Sequence, residues 1–475
     1  MRVTEMSHRR VHRLILTGLL LAPLVGCAAA GSNYARPQMP TPPTFRFAEG
    51  AAAESMADAP WFQVFDDPTL QELIRQAIAN NLDLRVAVAR VEESRARAGI
   101  AKSFLYPQVD FTANYGVRTA TDSKEANSDD EDAAHQSGAY GFRLSWELDL
   151  FGRIRRERES ALALVLASDQ GRRGVLVTLI GDVATNYFLL RELDLQLDIS
   201  RRTLDVNDQT VTYFQNRLDG GVSNRLELDR IVANRALTAS AIPEIEQQIA
   251  IVENLLSLLL GRSPGAIPRS PLTPDETVPP PVPPGLPASL LERRPDVAQA
   301  EQLLVAANAD IGVAKAMFFP TISLTGFLGG VSGDLTSFLG GQGLVGSITP
   351  GLLQPVFNGG RLRSNLEAMQ ARFDAALAEY QRAALNGYRE VANSLVTIQK
   401  LAEVRVQRQT GVTALQDASD LSRERYDSGL ASYIEILTAD QDLFEQQLLL
   451  AQTRGAELRA RAELYRTLGG GWQQP

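Results

Sequence analysis

The chain has 475 residues, of which 44% are hydrophobic and 22% are charged, so it contains enough apolar material for a large folded structure. Its formal net charge of −9 makes general nucleic-acid binding a poor hypothesis. One cysteine and three histidines exclude an intrachain disulfide and a multi-cysteine metal site. We therefore expect no cofactor, no metal and no nucleic acid as a partner.

The first 26 residues have the pattern of a bacterial secretion signal that ends at the only cysteine. Basic residues precede an apolar stretch, residues 14–25, which is too short for a typical membrane span. The stretch runs into Leu24-Val25-Gly26-Cys27, which resembles the lipobox of bacterial lipoproteins. We therefore predict a signal peptide at 1–26, lipidation of Cys27 and a lipidated leader at 27–65. An ordinary signal peptide with an incidental cysteine is the alternative.

The rest of the chain is predicted to consist of two copies of one unit. A motif at residues 99–107 recurs at 312–320, and a motif at 217–222 recurs at 425–430, in the same order. Prolines crowd into one region between the copies and are rare within them. The predicted boundaries are a first repeat at 66–262, a proline-rich linker at 263–287 and a second repeat at 288–472.

Each repeat is predicted to begin with a helix and to continue with a β-hairpin. Apolar residues recur at helical spacing through residues 70–102, after which the period becomes two. Alternating strands form a hairpin at about 107–151, with an acidic loop at 122–135 that is expected to be solvated. Strands of this length and alternation suit a transmembrane β-barrel, and a soluble sheet with one wet face is the alternative. The second hairpin, at about 320–357, is glycine-rich and alternates less clearly.

A very long helix follows each hairpin and ends at a tip, from which a second helix returns. Residues 153–218 contain no proline. A helix of about 65 residues spans roughly 100 Å. The tips are predicted at about 218–224 and about 426–432. Capping signals open the return helices, namely Asn224 with Glu227 and Ser432 with Glu435.

The strand count sets a condition on assembly. Four strands cannot close a barrel, because the smallest membrane-spanning barrels have about eight strands. Open sheet edges cannot face lipid, so several copies must share their strands. The predicted fold class is mostly α with a transmembrane β part. It combines a duplicated helix–β-hairpin–helix with a trimeric 12-stranded β-barrel on a long α-helical barrel.

Short motifs along nearly the whole mature chain match one known family. They stand at residues 60–62, 65–70, 81–84, 293–297, 306–309, 318–324, 355–361, 388–391 and 469–472. With these motifs the chain resembles the TolC-like outer-membrane factors, specifically the NodT-like lipoprotein branch that serves RND-type efflux systems. The resemblance implies a homotrimer in outer-membrane lipid that extends into the periplasm. It also implies docking to a periplasmic adaptor, or membrane fusion, protein and to an inner-membrane RND-type pump.

The function that this resemblance implies is a passive exit duct of a tripartite efflux system. An exit duct for type I protein secretion is the alternative within the same class. A periplasmic adaptor also has a lipid anchor and a helical hairpin, but the duplicated order of elements argues against that class.

Site residues can be assigned by matching the family's gate onto residues 433–440. This match gives Ile434 as an apolar constriction and Glu435 as an acidic ring, while Thr438 stands where an aspartate is usual. A role of Glu435 in helix capping alone is the alternative. The tip turns are expected to dock the adaptor, at Gly220, Gly221, Val222, Ser428, Gly429 and Leu430.

Enzyme signals are weak. Residues 341–346 match a GxGxxG pattern, but they lie in the second hairpin and open no helix. His135 and the acidic cluster at 129–132 are expected to be solvated loop residues. Pro295 and Asp296 are expected to open a helix rather than to form a binding site. We therefore predict that the chain is not an enzyme and has no catalytic or metal-binding residue.

Overall fold

The computed structural model describes residues 29–48, 67–118, 135–270, 287–332 and 344–470. The predicted signal peptide, Cys27, the acidic cluster at 129–132 and most of the proline-rich linker lie outside these residues. Within the described part of the chain there are eight helices and four strands, listed here in order. They are α1 Pro68–Asn80, α2 Leu82–Ser103, β1 Gln108–Arg118, β2 His135–Leu148, α3 Arg153–Asp219, α4 Arg225–Leu259, α5 Pro287–Arg293, α6 Pro295–Ala316, β3 Thr321–Ser332, β4 Leu344–Leu353, α7 Arg361–Asp427 and α8 Tyr433–Thr467.

The order of elements confirms the duplication. Helix α2, strands β1 and β2, and helices α3 and α4 are repeated as α6, β3, β4, α7 and α8. The long helices α3 and α7 both have 67 residues, and the return helices α4 and α8 both have 35 residues. The two copies therefore keep the same helix lengths although their sequences have diverged.

The four strands form one antiparallel sheet in the order β1-β2-β3-β4. Phe142 lies opposite Phe111 on one side and opposite Leu328 on the other, so apolar residues of neighbouring strands share a face. Strand β4 of the second hairpin continues this face with Ile348 and Leu352, which sequence alternation alone did not make clear. The opposite face is mostly polar and carries Asp110, Thr112, Asn114, Arg143, Ser145, Glu147, Ser323, Thr325, Ser347 and Thr349.

The apolar face of the sheet has no cover within the described chain. Phe111 is 61% exposed and Ile348 is 75% exposed. Strands β1 and β4 are the two edges, and each leaves one row of backbone groups unpaired in the sheet. An exposed apolar face between two open edges is unfavourable in water, and it suits strands that continue into another copy and face lipid.

The chain forms two compact units, of which one contains the sheet and the other contains most of the helices. In the helical unit the core joins α1 to the middle of α3 through Leu73, Ile74, Val183 and Tyr187. One window of α3 is long and apolar enough to cross a membrane, but 56% of it is buried in the fold. That burial is typical of a core helix.

The predicted single helix at 70–102 is wrong, because Asn81 divides it into α1 and α2. Asn81 has φ −59° and ψ 131°, which is not a helical conformation. Its side-chain oxygen accepts a hydrogen bond from Leu84 N–H at 2.9 Å, and its amide donates to Leu259 O at 3.0 Å. The asparagine is only 4% exposed, so its polar groups must be satisfied inside the protein, and these bonds stabilise the break.

Of two smaller predictions, the one for His135 is wrong and the one for Pro295 is confirmed. His135 is the first residue of β2, paired with Arg118, and not a residue of the loop as predicted. Pro295 does open α6, with Asp296 in its first turn. Arg294, the residue before Pro295, binds the Asp296 carboxylate at 2.7 Å and donates to Thr467 O at 2.8 Å, so it has a structural role.

Candidate functional site at the helical tips

The first tip is a tight turn after α3. Gly221 N–H donates to Leu218 O at 2.9 Å, and Val222 N–H donates to Arg217 O at 2.9 Å. These two bonds are the Schellman pattern, which satisfies carbonyls at a helix C-terminus. Gly221 has φ +73°, a left-handed conformation that glycine adopts without a steric penalty. Gly220 continues the last turn with a bond to Asn216 O at 3.0 Å.

The second tip, after α7, repeats the same geometry. Gly429 N–H donates to Tyr426 O at 2.9 Å, and Leu430 N–H donates to Arg425 O at 2.8 Å. Gly429 also has φ +73°, and Ser428 closes the last helical turn. The duplication therefore extends to the individual hydrogen bonds of the turns.

Each tip exposes one apolar side chain at the same position of its turn. Val222 is 65% exposed and Leu430 is 72% exposed. In a Schellman turn this residue often packs back on its own helix. Here both side chains point away from the fold, which leaves them free to contact another molecule.

An aromatic cluster holds the two tips together. The ring centre of Phe214, on α3, lies 4.3 Å from that of Tyr433 and 6.1 Å from that of Tyr426. Leu228, Ile436 and Tyr433 are buried, Tyr426 is half-buried, and Phe214 is 1% exposed. Burial, aided by the nearby Asp440 carboxylate, raises the pKa of Tyr433. The Tyr433 phenol therefore stays neutral in the apolar cluster.

The predicted gate residues lie on the exposed side of α8, away from this cluster. Ile434 is 42% exposed, and Glu435 and Thr438 are exposed as well. Thr438 lies one turn after Ile434 and donates its hydroxyl hydrogen to Ile434 O at 2.9 Å. The structure thus brings an apolar, an acidic and a hydroxyl side chain together on one surface.

The predicted capping box at the second tip is wrong. Ser432 occupies the N-cap position in an extended conformation, but its side chain makes no capping hydrogen bond. The Glu435 carboxylate lies 3.7 Å from Arg425 Nε, at the end of α7, instead of reaching back to the cap. A guanidinium across the turn offers the carboxylate an ionic partner in place of the cap amide.

The first tip is capped more nearly as predicted. Asn224 accepts a hydrogen bond from Glu227 N–H at 3.0 Å through its side-chain oxygen. The Glu227 carboxylate accepts from the Ser223 hydroxyl at 2.7 Å. The reciprocal half of the box is therefore made to Ser223 and not to the Asn224 amide.

Two polar contacts near the tips were not predicted from the sequence. Arg423 Nη2 lies 3.0 Å from both carboxylate oxygens of Asp440, which joins α7 to α8. The Arg217 guanidinium lies 5.6 Å from the ring centre of Tyr213 and 5.8 Å from that of Tyr426, which joins α3 to α7. Both contacts depend on which helices are neighbours, and a periodic pattern does not encode that.

Comparison with known proteins assigns this architecture to a family. The sequence profile of the outer membrane efflux protein family matches residues 73–262 and 286–470, which covers both repeats. The chain belongs to the outer membrane efflux protein family. Its two helix–hairpin–helix repeats, its sheet and its tips are therefore those of an efflux channel.

Characterised relatives span nearly the same length. The chain is 33% identical over 455 residues to the cation efflux system protein CusC of Escherichia coli O6:H1, which covers 95% of this chain and 97% of CusC. It is 32% identical over 454 residues to SilC of Salmonella typhimurium, named a probable outer membrane lipoprotein, with 94% and 96% covered. It is 35% identical over 415 residues to the solvent efflux pump outer membrane protein SrpC of Pseudomonas putida, with 86% and 87% covered.

A solved structure agrees with the fold. The open-state MtrE outer membrane channel of Neisseria gonorrhoeae superposes with a TM-score of 0.83 at 28% identity, covering 94% of this chain and 99% of that one. The chain is thus an outer-membrane channel of an efflux system, a passive duct and not an enzyme. Such a channel works with an inner-membrane pump and a periplasmic adaptor.

Proposed function

We propose that three copies of this chain form the exit duct of a tripartite efflux system, with a shared 12-stranded β-barrel in the outer membrane. The partition of the sheet into an apolar and a polar face supports this proposal most directly. An apolar face suits lipid and a polar face suits a water-filled lumen. The open edges at β1 and β4 then pair with the edges of neighbouring copies, which leaves no strand edge in lipid.

The internal duplication supplies a template for the contact between copies. Within the chain, the second strand of the first repeat pairs antiparallel with the first strand of the second repeat, as β2 with β3. By the same relation, β4 of one copy pairs with β1 of the next. Closing this arrangement with three copies gives twelve strands in one ring.

The lipid anchor is proposed at Cys27, after removal of the signal peptide at 1–26. The lipobox pattern supports it, and so does the name of SilC as a probable outer membrane lipoprotein. One acyl chain anchors only marginally, whereas two or more anchor stably. Cys27→Ser should abolish incorporation of labelled palmitate, and a variant that still takes up the label would refute the assignment.

The tips are proposed to dock the periplasmic adaptor. Gly220, Gly221, Val222, Ser428, Gly429 and Leu430 form the two turns. Two observations support this docking role. The hydrogen bonds of the two turns are the same, and the apolar side chains of Val222 and Leu430 are exposed. Burial of such side chains is a common source of affinity at an interface.

The gate is proposed at Ile434 and Glu435, with Thr438 one turn further. All three lie on the exposed side of α8 directly after the second tip. On a three-fold axis, three copies of Ile434 would narrow the tunnel. Three copies of Glu435 would form an acidic ring that attracts cations.

The pump, and not the duct, is proposed to select the cargo. Relatives of nearly equal identity to this chain are named for cation efflux and for solvent efflux. These names favour an RND-type efflux partner over a type I secretion ATPase. Co-purification of the native channel with its inner-membrane partner, followed by mass spectrometry, distinguishes the two classes of pump.

Cross-linking between the edge strands tests the shared barrel. Asn114→Cys on β1 is combined in turn with Ser347→Cys, Thr349→Cys or Gly351→Cys on β4, all on the polar face. For at least one pair, disulfides should form between neighbouring copies and give a covalent species of three chains and nothing larger. Asn114→Cys alone should give no such species. Absence of cross-links from every pair, or a ladder that continues beyond three chains, would contradict the proposal.

A further inference from the structure

The first described residues of the leader are bound to the junction between the sheet and α3. Ala30 N–H donates to Phe151 O at 2.9 Å. The Arg156 guanidinium donates to Ala30 O and to Gly31 O, both at 3.1 Å, and to Asn33 Oδ1 at 3.0 Å. Arg156 is buried, so its bonds to this segment are shielded from water. We name residues 29–36 the strap.

Two glycines allow the strap to lie directly on the backbone beneath it. A Cβ atom on Gly152 would stand 2.4 Å from the Ala29 Cβ, and one on Gly312 would stand 2.9 Å from Ala30 O. The far end of the strap is held by Arg36, which pairs with Glu301 at 2.6 Å. The strap is therefore fixed at both ends and in close contact between them.

Beside the strap lies an apolar groove of about 420 Å³. Ala30 and Gly31 of the strap line the groove together with Phe151, Lys315, Phe318, Phe319 and Leu366. The rings of Phe151 and Phe319 stack with their centres 4.8 Å apart and their planes at 11°. Small-molecule sites commonly enclose about 300–1,000 Å³ and are mainly apolar, so this groove has the size and lining of a binding site.

Within the described residues, the contacts that hold the strap are not repeated at the matching positions. Phe357, which matches Phe151, is 92% exposed, and Gly99, which matches Gly312, has open space beside it. Ser364 stands at the position that matches Arg156, and it lacks a guanidinium. The described residues therefore provide these contacts at one of two equivalent junctions, the one on which the strap lies.

The strap begins two residues after Cys27. Two residues of extended chain span at most about 7 Å, so a group attached to Cys27 starts close to the groove. A tethered acyl chain can enter without the loss of translational freedom that a free lipid incurs. Its methylene groups would gain van der Waals contacts with the aromatic walls.

We propose that a fatty acyl chain attached to Cys27 occupies this groove. Arg156 is the positioning residue, because its three bonds hold the wall that the strap supplies. Lys315 also lines the groove, where its ammonium would attract a lipid phosphate. The inference rests on the proposed acylation of Cys27, and it makes the anchor a packed part of the channel.

Photo-cross-linking of the intact channel tests the groove. Cells that express the full chain are grown with a palmitate analogue carrying a diazirine and an alkyne, irradiated, and the channel is purified and mapped by mass spectrometry. Cross-links from Cys27 should concentrate on peptides that contain Phe151 and Phe319. Leu366→Trp, which fills the groove, and Arg156→Met, which releases the strap, should keep the label and lose those cross-links. Arg153→Met, which removes a nearby arginine that binds Glu147 and Glu157, should retain them.

A second probe separates the tethered chain from free lipid. Channels reconstituted in vesicles that contain a diazirine phosphatidylethanolamine should be labelled at the groove only in Cys27→Ser, because the native acyl chain blocks the groove otherwise. Equal labelling of both proteins, or palmitate cross-links spread evenly over the lipid-facing strands, would overturn the groove assignment and leave acylation intact. Absence of any palmitate label would overturn acylation itself and the groove occupant with it.

Discussion

Glu435 Oε2 lies 3.7 Å from Arg425 Nε, so an ion pair joins the start of α8 to the end of α7 across the second tip. Both side chains are about half exposed, and exposed pairs of this kind contribute only about 0–1 kcal/mol to stability. The pair is therefore a weak brace, and changing Glu435 should affect ion passage far more than folding.

Neutralising Glu435 tests its role at the gate. We expect Glu435→Gln and Ile434→Ala to change single-channel conductance in planar bilayers, and Glu435→Gln to reduce cation selectivity as well. Glu445→Gln removes an exposed carboxylate further along α8 and should leave both properties as they are. If conductance and selectivity are unchanged in a stable assembly of both gate variants, the gate does not lie at these residues.

The aromatic cluster should control the stability of the tips. Phe214 is nearly fully buried against Tyr433 and Tyr426, so Phe214→Ala leaves a cavity that costs about 3–5 kcal/mol locally. Hydrogen exchange should become faster in the last turns of α3 and the first turns of α8. Exchange in the sheet should not change. Unaltered exchange at the tips would show that the cluster does not hold them.

The two faces of the sheet should differ in their tolerance of charge. Phe142→Arg, on the apolar face near the middle of β2, should destabilise the membrane-embedded channel by about 2–4 kcal/mol. Ser145→Arg, on the polar face of the same strand, should cost much less because water can solvate it. Denaturant unfolding in vesicles measures both, and equal costs would refute the assignment of the faces.

Tyr187 gives a prediction for alkaline pH. Its hydroxyl donates to Asp67 Oδ2 at 2.7 Å, and burial together with this bond raises the pKa of Tyr187 to about 12. A pKa raised in the folded state means that the contribution to stability is complete below about pH 10 and is lost as the pH rises towards 12. The free energy of unfolding should therefore fall over this range by about 2–3 kcal/mol more in the native protein than in Tyr187→Phe. Parallel pH profiles would contradict the role of this bond.

The sequence allowed prediction of those features that depend on neighbouring residues. Glycines at the tips, as at Gly221 and Gly429, mark the turns because only glycine adopts their backbone conformation without strain. Strand alternation in the first hairpin predicted its apolar face, because successive side chains point to opposite sides.

Features that depend on distant residues were missed. Asn81 ends α1 partly through a bond to Leu259, which lies 178 positions away. Glu435 turns towards Arg425 because the tip brings the two together, and a capping motif read from the sequence gives no sign of this. The strap packs on Gly152 and Gly312 and bonds to Arg156, all more than 110 residues further along the chain, so no local sequence pattern gives its position.

The mass of the intact channel in detergent tests the central claim, which is that copies of this chain must share their strands. Native mass spectrometry on protein that conducts ions after reconstitution should give one species with three times the mass of the mature chain. Exposed apolar strands with two open edges require this assembly before the sheet can enter lipid. A single-chain species that retains full conductance would contradict the account.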